Sequence, residues 1–149
     1  MQRKIARRVK GSNSKVRNAT KVEIDGIKFQ SKFEGKAYNK LKAIGFNFKY
    51  EPESFVVFDK FEFQGEKVRA ISIKPDFVDY DNKVIIEIKG WATDTFKLRW
   101  KLFKSYIKNN KPDFKIYLIN KVAELDILID KLKEDKKNVQ STSLCYKRV

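Results

Sequence analysis

The chain has 149 residues and a formal charge of +15, with 34 Lys and Arg against 19 Asp and Glu. That length suits one domain with a real core, and a field of that sign selects polyanions, nucleic acid first. Histidine is absent and Cys145 is the only cysteine, which excludes Ser-His, Cys-His and His-ligated zinc chemistry and any disulfide within the chain. Catalysis is left to carboxylates, lysines and oxygen-binding metals such as Mg²⁺.

Residues 1–21 read as a flexible basic arm. They carry Arg3, Lys4, Arg7, Arg8, Lys10, Lys15, Arg17 and Lys21 with no acid among them, as expected of a phosphate-binding segment or a solubilising tail. Val22 to Phe29 alternates around Asp25-Gly26 and predicts a hairpin. Ser31 opens a helix to about Ile44, with Phe33, Ala37, Leu41 and Ile44 on one apolar face and Gly45 ending it. Strands are expected around 46–50, 54–63 and 67–73, with Gly65-Glu66 as a turn. A hairpin follows, Phe77–Tyr80 with Val84–Ile88 about Asp81-Asn82. Asp94 is expected to cap a helix to about Asn109, before a strand at Phe114–Ile119. A last helix is expected over about Val122–Lys133, with Val122, Leu125, Ile129 and Leu132 facing inward. The organisation is one domain over 22–136 and a polar tail over 137–149. No run of about 18 apolar residues suits a membrane span, and the N-terminus lacks a signal-peptide stretch. A cytoplasmic location is the expectation.

The chemistry concentrates in Lys74-Pro75-Asp76-Phe77 and Ile86-Glu87-Ile88-Lys89-Gly90. With Asp81-Asn82 as the loop, Tyr80 faces Lys83 and Asp76 faces Glu87. Directly opposed residues hold their Cβ atoms roughly 4.5–5.5 Å apart, close enough for two carboxylates to share one divalent ion. Lys89, two residues beyond Glu87, points to the same face.

These motifs resemble the PD-(D/E)XK, or restriction-endonuclease-like, nuclease superfamily. The likeness rests on Pro75-Asp76, Glu87-Ile88-Lys89 and Glu34 on the first helix. Within the superfamily the chain is most similar to the phage endonuclease I group of Holliday-junction resolvases and to small phage nucleases. It shares with them Ser31-Lys32-Phe33-Glu34, Gly45-Phe46, Tyr50-Glu51 and Gly90-Trp91 in matching order, over roughly residues 27–120. The resemblance implies an α/β (mixed α+β) fold with an αβββαβ core, extended by the N-terminal hairpin and the C-terminal helix. It implies that Asp76, Glu87 and the Ile88 backbone carbonyl bind Mg²⁺ (Mn²⁺ as substitute), that Glu34 reaches a second ion or its water, and that Lys89 orients the attacking water or stabilises charge on the phosphate. One position departs from the pattern: an acid expected before the tyrosine is Lys49 here, and Glu51 lies two residues on.

Each signal has a plainer reading. Charged cross-strand pairs are common on solvated hairpins, but an apolar strand such as Val84–Ile88 gives its charges no such excuse. Ser31-x-x-Glu34 is also a capping box. Lys97, Lys101, Lys104 and Lys108 form a stripe that is either a wet face or a phosphate contact, opposite an apolar stripe of Phe96, Trp100, Phe103 and Ile107. Trp91 is expected to pack, with base stacking as its alternative, and Asp79 and Asp81 to serve the turn and edge. The function these features point to is a Mg²⁺-dependent DNA endonuclease selective for branched DNA, cutting as a C2 homodimer with no membrane partner. The alternatives are a non-catalytic basic nucleic-acid-binding protein, or an exonuclease, nicking or homing activity of the same superfamily.

Overall fold

The computed structural model describes residues 20–145, with side chains through residue 137. The expected contacts of Arg3, Lys4, Arg7, Arg8 and Lys10 lie outside the described residues. Among the described residues, ten strands and three helices form a mixed α+β fold. Its frame is a four-stranded sheet in the order β10 (Lys115–Ile119), β9 (Val84–Ile88), β8 (Phe77–Asp79) and β3 (Lys49–Tyr50). Neighbours are antiparallel except β9 and β10, which are parallel.

β9 is buried at all five positions, so its β-branched residues serve two cores, divided by the period-2 alternation of a strand. Val84, Ile86 and Ile88 face α1 (Lys32–Ala43) and α3 (Val122–Cys145), packing with Phe29, Ala37, Leu41, Leu125 and Leu132. Ile85 and Val78 face α2 (Asp94–Asn110) and its Phe96, Trp100, Phe103 and Ile107. The apolar stripe expected on α2 is thus the seam that docks it.

The N-terminal hairpin pairs β1 (Val22–Ile24) with β2 (Ile27–Phe29). Its turn residues Asp25 and Gly26 both hold positive φ, the conformation a two-residue hairpin loop demands. Gly35, in the first turns of α1, lies beneath this hairpin. A Cβ there would sit 2.7 Å from Val22 Cγ1 and 3.1 Å from Ile24 Cδ1.

The region expected as two long strands is one hairpin arm broken into two ladders. β4 (Phe55–Phe58) pairs with β7 (Ile71–Ile73) beside α2, and β5 (Phe61–Phe63) pairs with β6 (Glu66–Val68) beyond it. The turn falls at Gln64-Gly65, one residue earlier than expected, because these two adopt the positive φ angles. Phe58, Phe61 and Phe63 are exposed on this arm.

Three other expectations need correction. The segment 46–50 contributes only a two-residue strand, at Lys49–Tyr50. The N-cap of α2 is Thr93, whose hydroxyl accepts from Phe96 N–H at 3.2 Å, and Asp94 is the first helical residue. α3 runs on to Cys145 rather than stopping near Lys133. Val122 is exposed, and Leu128 takes the inward place instead. This shift is physical: Glu124 turns back to accept from Asn120 N–H at 2.7 Å, starting the helix with Val122 outside the apolar face.

Candidate functional site

The β8–β9 ladder pairs Phe77 with Ile86, Val78 with Ile85 and Asp79 with Val84. This is the register expected from sequence, although the ladder closes one pair early and leaves Tyr80–Lys83 as a four-residue loop. Continuing it one residue past Phe77 sets Asp76 opposite Glu87. A hydrogen bond supports that placement: Ile88 N–H donates to Asp76 Oδ2 at 2.7 Å. The Asp76 carbonyl is fixed in turn by Glu51 N–H at 2.7 Å. Glu51 itself holds a positive φ of 42° and pairs with Lys74 at 2.9 Å, so its carboxylate serves the strand junction.

Glu87 is 4% exposed, and its Oε2 is buried with no hydrogen-bond partner. Lys89 Nζ stands 3.6 Å from Glu87 Oε1 and 4.7 Å from the centre of the Phe96 ring, which holds the ammonium on the α2 face of the sheet. Burial pushes the Asp76 carboxyl well above the ordinary range, and the Glu87 charge adds to this, while the Ile88 N–H opposes it. Burial likewise raises Glu87, against the pull of the Lys89 ammonium and the Asp76 backbone N–H. A half-buried and a buried carboxylate on facing positions resist ionising together unless a cation lies between them.

Glu34 adds negative potential to both acids, so it lies within electrostatic range of the pair. Its oxygens are already engaged. Oε1 accepts from the Ser31 hydroxyl at 2.7 Å, and Oε2 accepts from Tyr50 O–H at 2.6 Å and Gln30 N–H at 3.0 Å. Ser31 Oγ accepts from Glu34 N–H at 3.2 Å, so the N-cap half of the expected capping box is present, while the Glu34 carboxylate reaches back to the Gln30 N–H and not to the Ser31 N–H. Tyr50, raised by burial and by this bond, ties the cap to the sheet. A carboxylate oxygen accepts about two bonds, so Oε1 keeps one free lone pair and Oε2 none. Among the described residues, no three Asp, Glu or Cys side chains gather closely enough to hold an ion between them.

Sequence reasoning missed two features. Asp79, expected as an edge or turn residue, is fully buried. It accepts from Asn82 N–H at 2.8 Å, Asn82 Nδ2 at 2.9 Å and Asn47 N–H at 2.9 Å, sewing the loop to the segment before β3. Its alternation with Phe77 was the available signal. Trp91, expected to pack, is 80% exposed. Lys97, Lys101, Lys104 and Lys108 all lie on the exposed side of α2, and Lys97 is paired with Asp94 at 3.0 Å.

Residues 13–123 match the family described as protein of unknown function (DUF1064). The chain belongs to that family. The matched span holds Glu34, Asp76, Glu87, Lys89 and all of α2, and stops in the first turn of α3. No curated protein and no solved structure matches the chain. Among the described residues, no helix is long and apolar enough to cross a membrane.

Proposed function

We propose that this DUF1064 protein is a Mg²⁺-dependent DNA endonuclease with a PD-(D/E)XK site on a restriction-endonuclease-like core. The observation that carries this reading is Glu87 Oε2: a buried carboxylate oxygen without a donor, on a strand beside Asp76 and within reach of Lys89. Leaving such an atom unpaired costs free energy, and a hard cation satisfies it. The order α1, antiparallel strands, α2, parallel β10 supports the αβββαβ core.

Asp76 and Glu87 would hold the ion, with the Ile88 carbonyl beside them as the superfamily resemblance implies. Bound Mg²⁺ (or Mn²⁺) supplies Lewis-acid polarisation of the phosphate and charge neutralisation. The chain's own residues do the rest. The Ile88 N–H fixes the Asp76 carboxylate, and Phe96 fixes the Lys89 ammonium against Glu87, where it orients the attacking water or offsets charge on the phosphate. Glu34 holds the α1 cap and adds its negative field to the pair. The lysines of α2 contact phosphates. No base-reading motif stands out, so shape and phosphate geometry set selectivity, and a four-way junction cut on two strands calls for a C2 homodimer.

The test uses a synthetic four-way junction. The protein cuts it in Mg²⁺ and leaves it intact in chelator, and Lys89→Ala lowers the cutting rate by roughly 10²–10⁴-fold while retaining binding. A second reading, a non-catalytic nucleic-acid-binding protein, is favoured by the engagement of Glu34 in its cap and by the absence of a third close acid among the described residues. Tight binding with no cutting in Mg²⁺ or Mn²⁺ selects it.

A further inference from the structure

We propose that Trp91 is a stacking platform for an unpaired nucleobase lying beside the phosphate presented to Asp76 and Glu87. The position of that phosphate rests on the nuclease reading; the binding of a base does not. The chain's two tryptophans have opposite environments: Trp100 is 6% exposed in the α2 core, and Trp91 is 80% exposed. Trp91 sits on a short bridge pinned at both ends. Lys89 N–H donates to the Ile119 carbonyl at 2.8 Å, and Thr93 caps α2 through its hydroxyl and its carbonyl, the latter accepting from Lys97 N–H at 3.0 Å. Only Gly90, Trp91 and Ala92 lie between these anchors, so the indole is presented from a fixed base.

The charge around it selects the occupant. Lys89, Lys97, Arg99, Lys101, Lys104 and Lys108 lie on the bridge and on α2, and the one acid of that helix, Asp94, is already paired with Lys97. A second copy of this surface would meet charge of its own sign, whereas DNA would meet the opposite sign. Phosphates gain nothing from an indole, but a base has a π-face that does. In an intact duplex both faces of each base are covered by its neighbours. An unpaired or splayed base at a branch, flap or gap offers one. Two residues of chain span at most about 7 Å, and duplex DNA advances about 3.4 Å per nucleotide along each strand. The stacked base is therefore within a few nucleotides of the phosphate at Lys89.

The full-length protein in chelator is titrated with a duplex carrying a short unpaired thymine tract and with a blunt duplex of equal length, following tryptophan emission. The buried Trp100 serves as internal reference. The unpaired tract quenches the emission and the blunt duplex does not, and Trp91→Ala weakens binding of the tract-bearing DNA about tenfold with blunt-duplex affinity unchanged. Equal quenching by both DNAs, or unaltered affinity of Trp91→Ala for the tract, overturns the proposal. So does emission that shifts with protein concentration in the absence of DNA, which would place Trp91 against a second copy. Selective quenching without Mg²⁺-dependent cutting overturns the nuclease reading and leaves base binding standing.

Discussion

The two ends of the β8–β9 hairpin treat a buried carboxylate in opposite ways. At the loop end, Asp79 accepts three hydrogen bonds from Asn47 and Asn82, so both of its oxygens are partnered within the fold. At the other end, three residues away, Glu87 keeps an oxygen with no donor, and the Asp76 carboxylate accepts from Ile88 N–H. Asp79 and Glu87 are both buried on these strands, whereas Asp76 is half-buried, so burial alone does not decide whether an acid is partnered. One end uses its acid to close a loop. The other holds acids in a state that only a ligand, or a proton, completes.

That contrast can be broken from either end. Asp79→Ala removes a fully buried acceptor and the three part-buried hydrogen bonds it takes from Asn47 and Asn82, each worth about 0.5–1.5 kcal/mol. Urea unfolding should show a loss of about 2–4 kcal/mol, and an unchanged midpoint would remove Asp79 from its structural role. Asp76→Asn should do the reverse to the metal-free protein. It keeps an acceptor for Ile88 N–H, adds an amide donor facing Glu87 and removes the repulsion, so thermal unfolding at slightly alkaline pH should rise by roughly 2–4 °C, near 1 kcal/mol. Lower stability would mean that the two acids do not oppose each other.

The same pair sets a pH dependence. Both carboxyls are raised in the folded state, so the folded chain binds more protons than the unfolded one. The stabilisation they contribute is fully present below the ordinary carboxylate range, near pH 4, and is lost as pH climbs through the raised folded values. Metal-free protein should therefore melt progressively lower from about pH 4 into the neutral range, and the Asp76→Asn variant should show a flatter profile. Added Mg²⁺ should restore more stability at the upper end than at the lower, since binding displaces protons. Equal Mg²⁺ shifts at both ends would argue against a cation at this pair. The smallest effect belongs to the α2 stripe: replacing Lys101 or Lys104 by Ala should reduce the slope of log affinity against log salt by about 1 each, with the fold untouched.

Much of this was readable from residue order because the hairpin is self-timed. A turn fixes a register, and the register fixes which residues face one another, so Asp76 and Glu87 could be paired before any coordinates. The error of one pair in the loop did not matter, since it left the register intact. The apolar stripe of α2 was legible for a similar reason: period 3.6 is a local property. Trp91 was not legible, because exposure depends on what packs over a residue, and Gly90-Trp91-Ala92 has no periodicity to declare a face. Asp79 does serve the turn through Asn82, as expected, but its burial was not legible. Its partner Asn47 lies 32 residues away, and only the closed fold brings that N–H to it. Glu34 stayed divided between cap and ligand in sequence, and its three hydrogen bonds show how far the cap alone occupies it.

Gly35 has a consequence beyond packing. Because its bare Cα lets Val22 settle onto the first turns of α1, the backbone enters the domain next door to Glu34, on the flank that carries the paired acids' electrostatic neighbour. A methyl group at Gly35 would lift Val22 and Ile24 off α1 and disturb the helix start that Glu34 caps, even in a protein that still folds.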